Sequence, residues 1–258
     1  MLEFFVAYIA IGFLIGALGT FIGIGGGVFL VPLILFLYPA LPPSQVTAVS
    51  LFCVTLNAFS GSVIYAKNKQ IHYLSGILFA LASLPGVWLG VSLTTTIERE
   101  KFITFYAVLL FLLGSYLLLK KTKAASAEKA KFTLEKKAIT KGGVTSFFVG
   151  IFSGFFGVGG GIIYVPFLHQ ALNFPVHLSA GTSHFILVIT SVMAVVEHIY
   201  MGAPVLYEPF VIYLAIGIII GAQLGGRMSK RAQGVTILRV LAIAILIMAV
   251  RMFFVSAK

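Results

Sequence analysis

The chain has no aspartate, a single cysteine and few charged residues of any kind. Asp, Glu, Lys and Arg make up 10% of its 258 residues, whereas soluble globular proteins carry about 25%. A chain that is 60% hydrophobic cannot cover its surface with polar groups in water, which argues against a soluble enzyme, a disordered protein and a nucleic-acid-binding domain. Cys53 has no second cysteine to pair with, so an intrachain disulfide and a cysteine-based zinc site are excluded.

The mean hydropathy of +1.09 is instead typical of a chain that crosses a membrane several times. One pass needs about 20 apolar residues, and hydrophobic segments occupy most of the sequence. We therefore predict an all-α, multi-pass protein of the cell membrane, whose first apolar stretch is a membrane segment and not a signal peptide. The eight hydrophobic segments run over 3–37, 44–66, 71–94, 102–119, 143–172, 176–201, 206–226 and 232–256.

The positive charge is concentrated between the fourth and fifth segments. The net charge is +11, and eight of the 18 basic residues fall between Lys120 and Lys141. Such a cluster is typical of a cytoplasmic loop that faces anionic headgroups, and it does not indicate a nucleic-acid partner. We predict a transmembrane repeat over 1–119, a basic cytoplasmic linker over 120–141 and a second transmembrane repeat over 142–258.

The two halves resemble each other in sequence. GALGTFIGIGGGVFLVP at Gly16–Pro32 and GIFSGFFGVGGGIIYVP at Gly150–Pro166 share eight of 17 positions at a constant offset of 134. Ser50 aligns with Ser183 further along the chain. Internal duplication is common in secondary transporters, where the two halves frame the substrate site.

The first and fifth segments are predicted to be broken helices. As one helix, 35 residues would be about 52 Å long, although the hydrocarbon core is about 30 Å thick. Four of the five residues at Gly23–Gly27 and at Gly157–Gly161 are glycine, which is costly inside a helix. Each segment should therefore be two helices joined by an unwound turn.

An unwound turn inside a membrane exposes backbone N–H groups, and the start of the following helix carries a partial positive charge. Two such turns that meet would form an anion site held by backbone dipoles and not by a buried Lys or Arg. Arg239, near the start of a helix, should contribute little to binding. The alternative is that these glycines only allow close helix packing, as the G-x-x-x-G spacing does elsewhere in the chain. The glycines predicted to bind substrate are Gly23, Gly25, Gly26, Gly27, Gly157, Gly159, Gly160 and Gly161.

Polar side chains within apolar segments are candidates for function. Ser50 and Ser183 recur in the repeat, and His184 beside them could bond an anion or carry a proton. Glu197 and His198 could also couple transport to protons, or could be a pair at headgroup level. No spacing indicates a metal site, a cofactor or a catalytic pair. The side chains predicted to bind substrate are Ser50, Asn57, Thr182, Ser183, His184 and Gln223; those predicted to couple protons are His184, Glu197 and His198.

The doubled glycine motif resembles that of the TauE/SafE family of sulfite exporters, also called the toluene sulfonate uptake permease family. The motif is GIGGGVFLVP at Gly23–Pro32 and GVGGGIIYVP at Gly157–Pro166, and AGTS at Ala180–Ser183 and GAQLGGRM at Gly221–Met228 are also similar to that family. The first half departs from the AGTS pattern with TAVS. The resemblance implies secondary transport of sulfite, thiosulfate, sulfoacetate or other organosulfonates, driven by protons.

Two topologies and several functions remain open from sequence alone. Parallel halves of four passes, with the linker inside, would place 12 basic residues inside and six outside, whereas inverted halves would place 14 inside and four outside. The positive-inside rule favours inversion. An anion channel, a membrane enzyme and a transporter of another small metabolite are the alternatives to a secondary anion transporter, and a homodimer is left open.

Overall fold

The computed structural model describes residues 2–119, 136–229, 242, 243 and 245–253. All regular structure within these residues is helical, and residues 245–253 form a C-terminal helical stretch. The helices are α1 (Leu2–Ile22), α2 (Gly27–Leu37), α3 (Pro43–Lys67), α4 (Tyr73–Thr94), α5 (Arg99–Leu119), α6 (Lys136–Phe156), α7 (Gly161–Pro166) with a π-helical continuation at Phe167–Ala171, α8 (Val176–Tyr200), a 3₁₀ turn at Pro204–Tyr207, and α9 (Pro209–Met228).

Six of these helices, α1, α3, α4, α6, α8 and α9, are long and apolar enough to cross a membrane. Their outward faces carry many exposed large hydrophobic side chains, such as Leu14, Trp88 and Ile220, which lipid can cover. The chain is therefore a helical multi-pass membrane protein, as predicted. Most of the linker and most of the last segment lie outside the described residues, so the division into two repeats stays a prediction.

The first and fifth segments are broken at the predicted glycines. α1 ends at Ile22 and α2 begins at Gly27, while α6 ends at Phe156 and α7 begins at Gly161. α2 then runs back along α1, because the hydroxyl oxygens of Tyr8 and Tyr38 are 2.7 Å apart. With 11 residues, α2 is about 16 Å long and reaches only half-way through a bilayer. α1 and α2 thus form a re-entrant hairpin.

α1 and α9 run side by side in the same direction. A methyl group on Gly12 would overlap the backbone of Leu214, and one on Gly16 would overlap that of Ile218. Both residue numbers rise together along the contact, so the two helices are parallel. The small residues allow this close approach, as their spacing predicts.

α4 and α6 form a second parallel pair that is built in the same way. Gly86 of α4 abuts the backbone of Phe147 in α6, and Gly90 abuts that of Ile151. Side-chain contacts show in the same way that α9 is parallel to α3, through Ser60 with Ile219 and Ile64 with Gly226, and that α8 is parallel to α4, through Gly76 with Phe185 and Ser92 with Glu197. Glycine therefore sets the spacing of both outer helix pairs.

α3 and α8 cross in opposite directions at the centre of the molecule. Thr47 of α3 contacts His198 of α8, whereas Asn57 contacts His184, so residue numbers fall along one helix as they rise along the other. The six long helices accordingly form two sets. α1, α3 and α9 point one way, and α4, α6 and α8 point the other.

Candidate substrate site at two crossed glycine turns

The two glycine turns have the same backbone conformation. The first, third and fourth positions of each turn have positive φ, a region that side chains with a Cβ rarely adopt. Contiguous glycines are therefore required by the turn itself and not only by helix packing. The φ values are 87°, 82° and 84° at Gly23, Gly25 and Gly26, and 69°, 78° and 77° at Gly157, Gly159 and Gly160.

The turns touch each other through their backbones. A Cβ on Gly27 would lie 2.8 Å from the Cα of Val158, and a Cβ on Gly161 would lie 2.8 Å from the Cα of Ile24. Each turn therefore occupies the space that a side chain on the other would need. The prediction that the two turns lie close together is confirmed.

The contact lies at the middle of the two crossing helices. A Cβ added to Gly25 or to Gly159 would meet the side chains of Val54 and Leu187. Val54 is one residue before the midpoint of the 25-residue α3, and Leu187 is one residue before the midpoint of the 25-residue α8. Since α3 and α8 are both candidate membrane spans, the turns sit at membrane depth.

Several N–H groups of the turns have no acceptor in the described part of the chain. The first intrahelical bonds of α2 come from Phe29 and Leu30, whose N–H groups donate to the Gly26 oxygen at 3.0 and 3.2 Å. Buried N–H groups without a partner are rare because each one costs free energy. The N–H groups that precede these bonds along the first turn have no acceptor among the described residues, and neither do the corresponding N–H groups of the second turn. They are the N–H groups of Gly26, Gly27, Val28, Gly160, Gly161 and Ile162.

Ser50 and Ser183 bind the turns reciprocally. Ser50 Oγ donates to the Gly157 carbonyl at 2.6 Å, and Ser183 Oγ donates to the Gly23 carbonyl at 3.2 Å. Each serine thus holds the turn of the other half. Both side chains are fully buried and lie beside the turns, as predicted; that they also contact substrate stays a prediction.

His184 and Asn57 belong to a buried polar cluster beside the first turn. Asn57 Oδ1 accepts from Thr20 Oγ1 at 2.9 Å, and Asn57 Nδ2 donates to the Gly16 carbonyl at 3.0 Å. His184 Nε2 lies 3.3 Å from Asn57 Oδ1, while His184 Nδ1 has no partner in the described part of the chain. Tyr65 completes the cluster by donating to the Thr20 carbonyl at 2.6 Å.

The other two predicted ligands bond to neighbouring elements. Thr182 Oγ1 accepts from the N–H of His72 at 3.0 Å, just before α4 begins. Gln223 Nε2 donates to the carbonyl and hydroxyl oxygens of Ser60 at 2.9 and 2.8 Å. Both contacts hold helices together, and a role for either side chain in substrate binding stays a prediction.

Glu197 and His198 are buried within the helix bundle, with exposed fractions of 5% and 1%. Glu197 Oε1 accepts from Ser92 Oγ at 3.1 Å, and Glu197 Oε2 has no partner among the described residues. His198 Nε2 lies 3.3 Å from Thr47 Oγ1. Both residues lie in the last turn of α8, and a role for this pair in proton coupling stays a prediction.

Sequence reasoning missed Thr20, Thr47 and Tyr65, which complete the polar surroundings of the turns. A Cβ on Gly157 would lie 3.0 Å from Thr47 Cα, so Thr47 lies between the second turn and His198. Thr47 is one helical turn before Ser50, and this spacing was the signal that could have identified it. Thr20 and Tyr65 give no such signal, because single polar residues in apolar helices often bond to nearby backbone.

Nearly the whole chain matches the model of a known protein family. The model of the sulfite exporter TauE/SafE family matches residues 8–252 of the chain. The chain belongs to the TauE/SafE family. The doubled glycine motif that carried the resemblance therefore lies in a TauE/SafE protein, at the point where its two halves meet.

Two similar proteins bear the name of probable membrane transporters. The probable membrane transporter protein YunE of Bacillus subtilis strain 168 is 26% identical, over 97% of each chain. The probable membrane transporter protein MJ0441 of Methanocaldococcus jannaschii is 26% identical, over 86% of this chain and 85% of its own. No solved structure matches. Family and relatives together identify the chain as a membrane transporter.

Proposed function

We propose that the protein is a secondary transporter that carries a sulfur-containing anion across the cell membrane. The family name suggests sulfite, and we extend the proposal to thiosulfate, sulfoacetate and other organosulfonates, which the resemblance of the sequence motifs implies. The observation that carries this proposal is the contact of two buried glycine turns midway along α3 and α8, with N–H groups that have no acceptor in the described part of the protein. An oxyanion bound there would supply the missing acceptors.

Backbone dipoles suit an anion that must be released again. A helix N-terminus carries roughly half an elementary charge, so two such ends attract an oxyanion without the large desolvation cost of a buried arginine. Glycine lets the substrate approach the backbone closely. Arg239, which we do not expect to bind the substrate, lies outside the described residues.

We further propose that the two halves are inverted repeats, which would allow the site to open to either side. The direction of the helices supports this: α1 is antiparallel to α6, α3 to α8, and α4 to α9. These are the three pairs that the sequence repeat relates. The re-entrant α2 removes the difficulty that a half-helix is too short to span the membrane.

Glu197 is the residue that we expect to couple transport to protons. Among the acidic residues of the described ranges it alone lies within a candidate membrane span, and its Oε2 is buried without a partner there. The adjacent His198 contacts Thr47, which packs on the Gly157 turn. Protonation of this pair can therefore alter the position of the second turn.

Flux into proteoliposomes tests the proposed function. Purified protein should accumulate at least one of sulfite, thiosulfate or an organosulfonate against its gradient when a proton gradient is imposed, with saturable kinetics. Flux that does not saturate and that ignores the proton gradient would favour the anion channel instead. Absence of transport with all these anions, and with sulfate, would contradict the proposal.

The role of Glu197 is tested by Glu197→Gln. Accumulation driven by the proton gradient should fall by about tenfold or more in the variant, because glutamine cannot bind and release a proton. Exchange of labelled for unlabelled anion, which needs no proton, should be retained. Glu208→Gln is the matched control, because Glu208 is exposed at the start of α9. Accumulation that survives in Glu197→Gln would exclude this residue as the coupling group.

A further inference from the structure

An apolar cavity of about 150 Å³ lies between α2, α5 and the C-terminal helical stretch 245–253. Its floor is formed by Leu35, Ile103 and Met252, which are exposed by only 5%, 4% and 6%. The cavity is open on one side, and its volume and largely apolar lining suit a hydrocarbon group about as large as benzene.

The mouth of the cavity combines an aromatic ring with a positive charge. Phe36 is 63% exposed, and the guanidinium carbon of Arg251 lies 5.6 Å from the centre of its ring. In the described part of the chain the one ion pair is Lys101–Glu98, so Arg251 has no carboxylate partner there. An unpaired guanidinium beside an apolar cavity fits a ligand with a hydrocarbon part and an anionic head.

The position of the cavity matches the boundary between headgroups and hydrocarbon. The exposed Lys101–Glu98 pair lies at the start of α5, within two helical turns before Ile103. Arg99 donates to the carbonyl of Leu35 at 2.8 Å and so fixes the end of α2 at the same level. Basic side chains at this depth extend toward headgroups while their stems cover apolar surface.

We propose that this cavity binds an anionic phospholipid, with one acyl chain against Leu35 and Ile103 and the phosphate on Arg251. The lipid fills space beside α2, the half-helix that begins at the first glycine turn. It therefore supports the position of that turn from the membrane side. The site is separate from the glycine turns and does not depend on which anion is transported.

Fluorescence quenching by brominated lipid tests the proposal. Phe36→Trp in a Trp88→Phe background places one fluorophore at the mouth of the cavity and keeps an aromatic ring under Arg251. In vesicles of phosphatidylcholine with a minor fraction of phosphatidylglycerol, bromine on the phosphatidylglycerol chains should quench this fluorophore about fivefold more, per mole of lipid, than bromine on phosphatidylcholine. One basic residue near an anionic surface gives a preference of that size.

Two controls separate this site from general lipid contact. Trp88 of the unmodified protein is 52% exposed on α4 and should be quenched equally by both brominated lipids. Adding Arg251→Gln to the reporter variant should remove the stronger quenching by brominated phosphatidylglycerol at position 36, so that the two lipids quench equally there, as at Trp88. Leu33→Trp, which also lines the cavity, is the second reporter if Phe36→Trp does not fold.

Three results would overturn the proposal. Equal quenching by both lipids in the folded reporter variants would show that no anionic lipid is selected. A preference that Arg251→Gln leaves intact would remove the phosphate contact. Relief of quenching by inorganic phosphate in the buffer would identify a free anion, and not a lipid, as the ligand of Arg251.

Discussion

The hydroxyl groups of Ser50 and Ser183 donate their protons to carbonyl groups of the glycine turns. These protons are therefore not available to a bound substrate. Each hydroxyl is fully buried, and its proton is accepted by the carbonyl of the first glycine in the opposite turn. A serine hydroxyl that donates its proton to a carbonyl presents only oxygen lone pairs to its other neighbours, and these lone pairs repel an anion. In this arrangement the pair holds the two turns against each other.

Alanine at Ser50 or Ser183 should therefore destabilise the protein even without substrate. Each change leaves a buried carbonyl without its donor, which costs about 1–2 kcal/mol, and the midpoint of thermal unfolding in detergent measures the loss. Ser75→Ala is the matched control, since Ser75 Oγ is buried and has no partner in the described part of the chain, and it should change stability little. Equal midpoints for all three variants would contradict the reciprocal bonds.

Sequence could identify this serine pair but not its bonding. The repeat aligns Ser50 with Ser183 and predicts that both lie near the turns. The donor direction depends on where the Gly23 and Gly157 carbonyls point, which is fixed only when the halves pack. Asn57 is predicted as a site residue because it is a polar side chain within an apolar segment. Its partners Thr20 and Gly16 could not be predicted, because they come from another helix.

At the scale of elements, the helices that begin at the two turns differ in length. α2 continues for 11 residues through Pro32, whereas α7 has six residues and passes into a π-helical turn after Pro166. The breaks were predictable because contiguous glycines are unfavourable in a helix. The π-turn was not, because it depends on local packing: the N–H of Phe174 reaches back to the carbonyl of Leu168.

Alanine at Gly27 should test the contact between the turns. Gly27 is in the first helical position of α2, so its backbone tolerates a side chain, but a Cβ there would lie 2.8 Å from the carbonyl oxygen of Gly157. We expect a loss of about 1–3 kcal/mol in stability, the usual cost of overpacking, together with loss of transport. Thermal unfolding in detergent and flux into proteoliposomes measure the two effects.

Gly143→Ala is the control for this substitution. Gly143 is within α6, and the nearest atom to an added Cβ is 4.0 Å away. Since alanine favours helix over glycine, this variant should be at least as stable as the parent and should transport normally. If Gly27→Ala behaved like Gly143→Ala in both assays, the two turns would not be in contact.

At the scale of the whole molecule, the directions of the helices support the inverted halves that we propose, one of two topologies that sequence left nearly equal. The count of basic residues favours inverted halves only slightly, because inverted halves place 14 of them inside and parallel halves place 12 inside. The directions of the six long helices depend on contacts far apart in sequence, such as Thr47 with His198. No local pattern carries that information, which is why sequence could not decide the topology.

Cysteine accessibility from outside the cell distinguishes the topologies in a Cys53→Ala background. With inverted halves and the linker inside, Tyr207→Cys should react with an impermeant reagent and Asn173→Cys should not; parallel halves would reverse both results. Glu98→Cys, outside in either case, and Lys69→Cys, inside in either case, are the controls. Reaction at Asn173→Cys with protection at Tyr207→Cys would contradict the inverted repeat.

The central claim is that backbone N–H groups of the crossed turns bind the transported anion. The most direct measurement is the amide NMR spectrum of protein labelled with ¹⁵N-glycine, titrated with a transported sulfur oxyanion. We expect saturable shifts at Gly26, Gly27, Gly160 and Gly161, and none at the packing glycines Gly86 and Gly217. Unchanged turn amides at an anion concentration that saturates transport would contradict it.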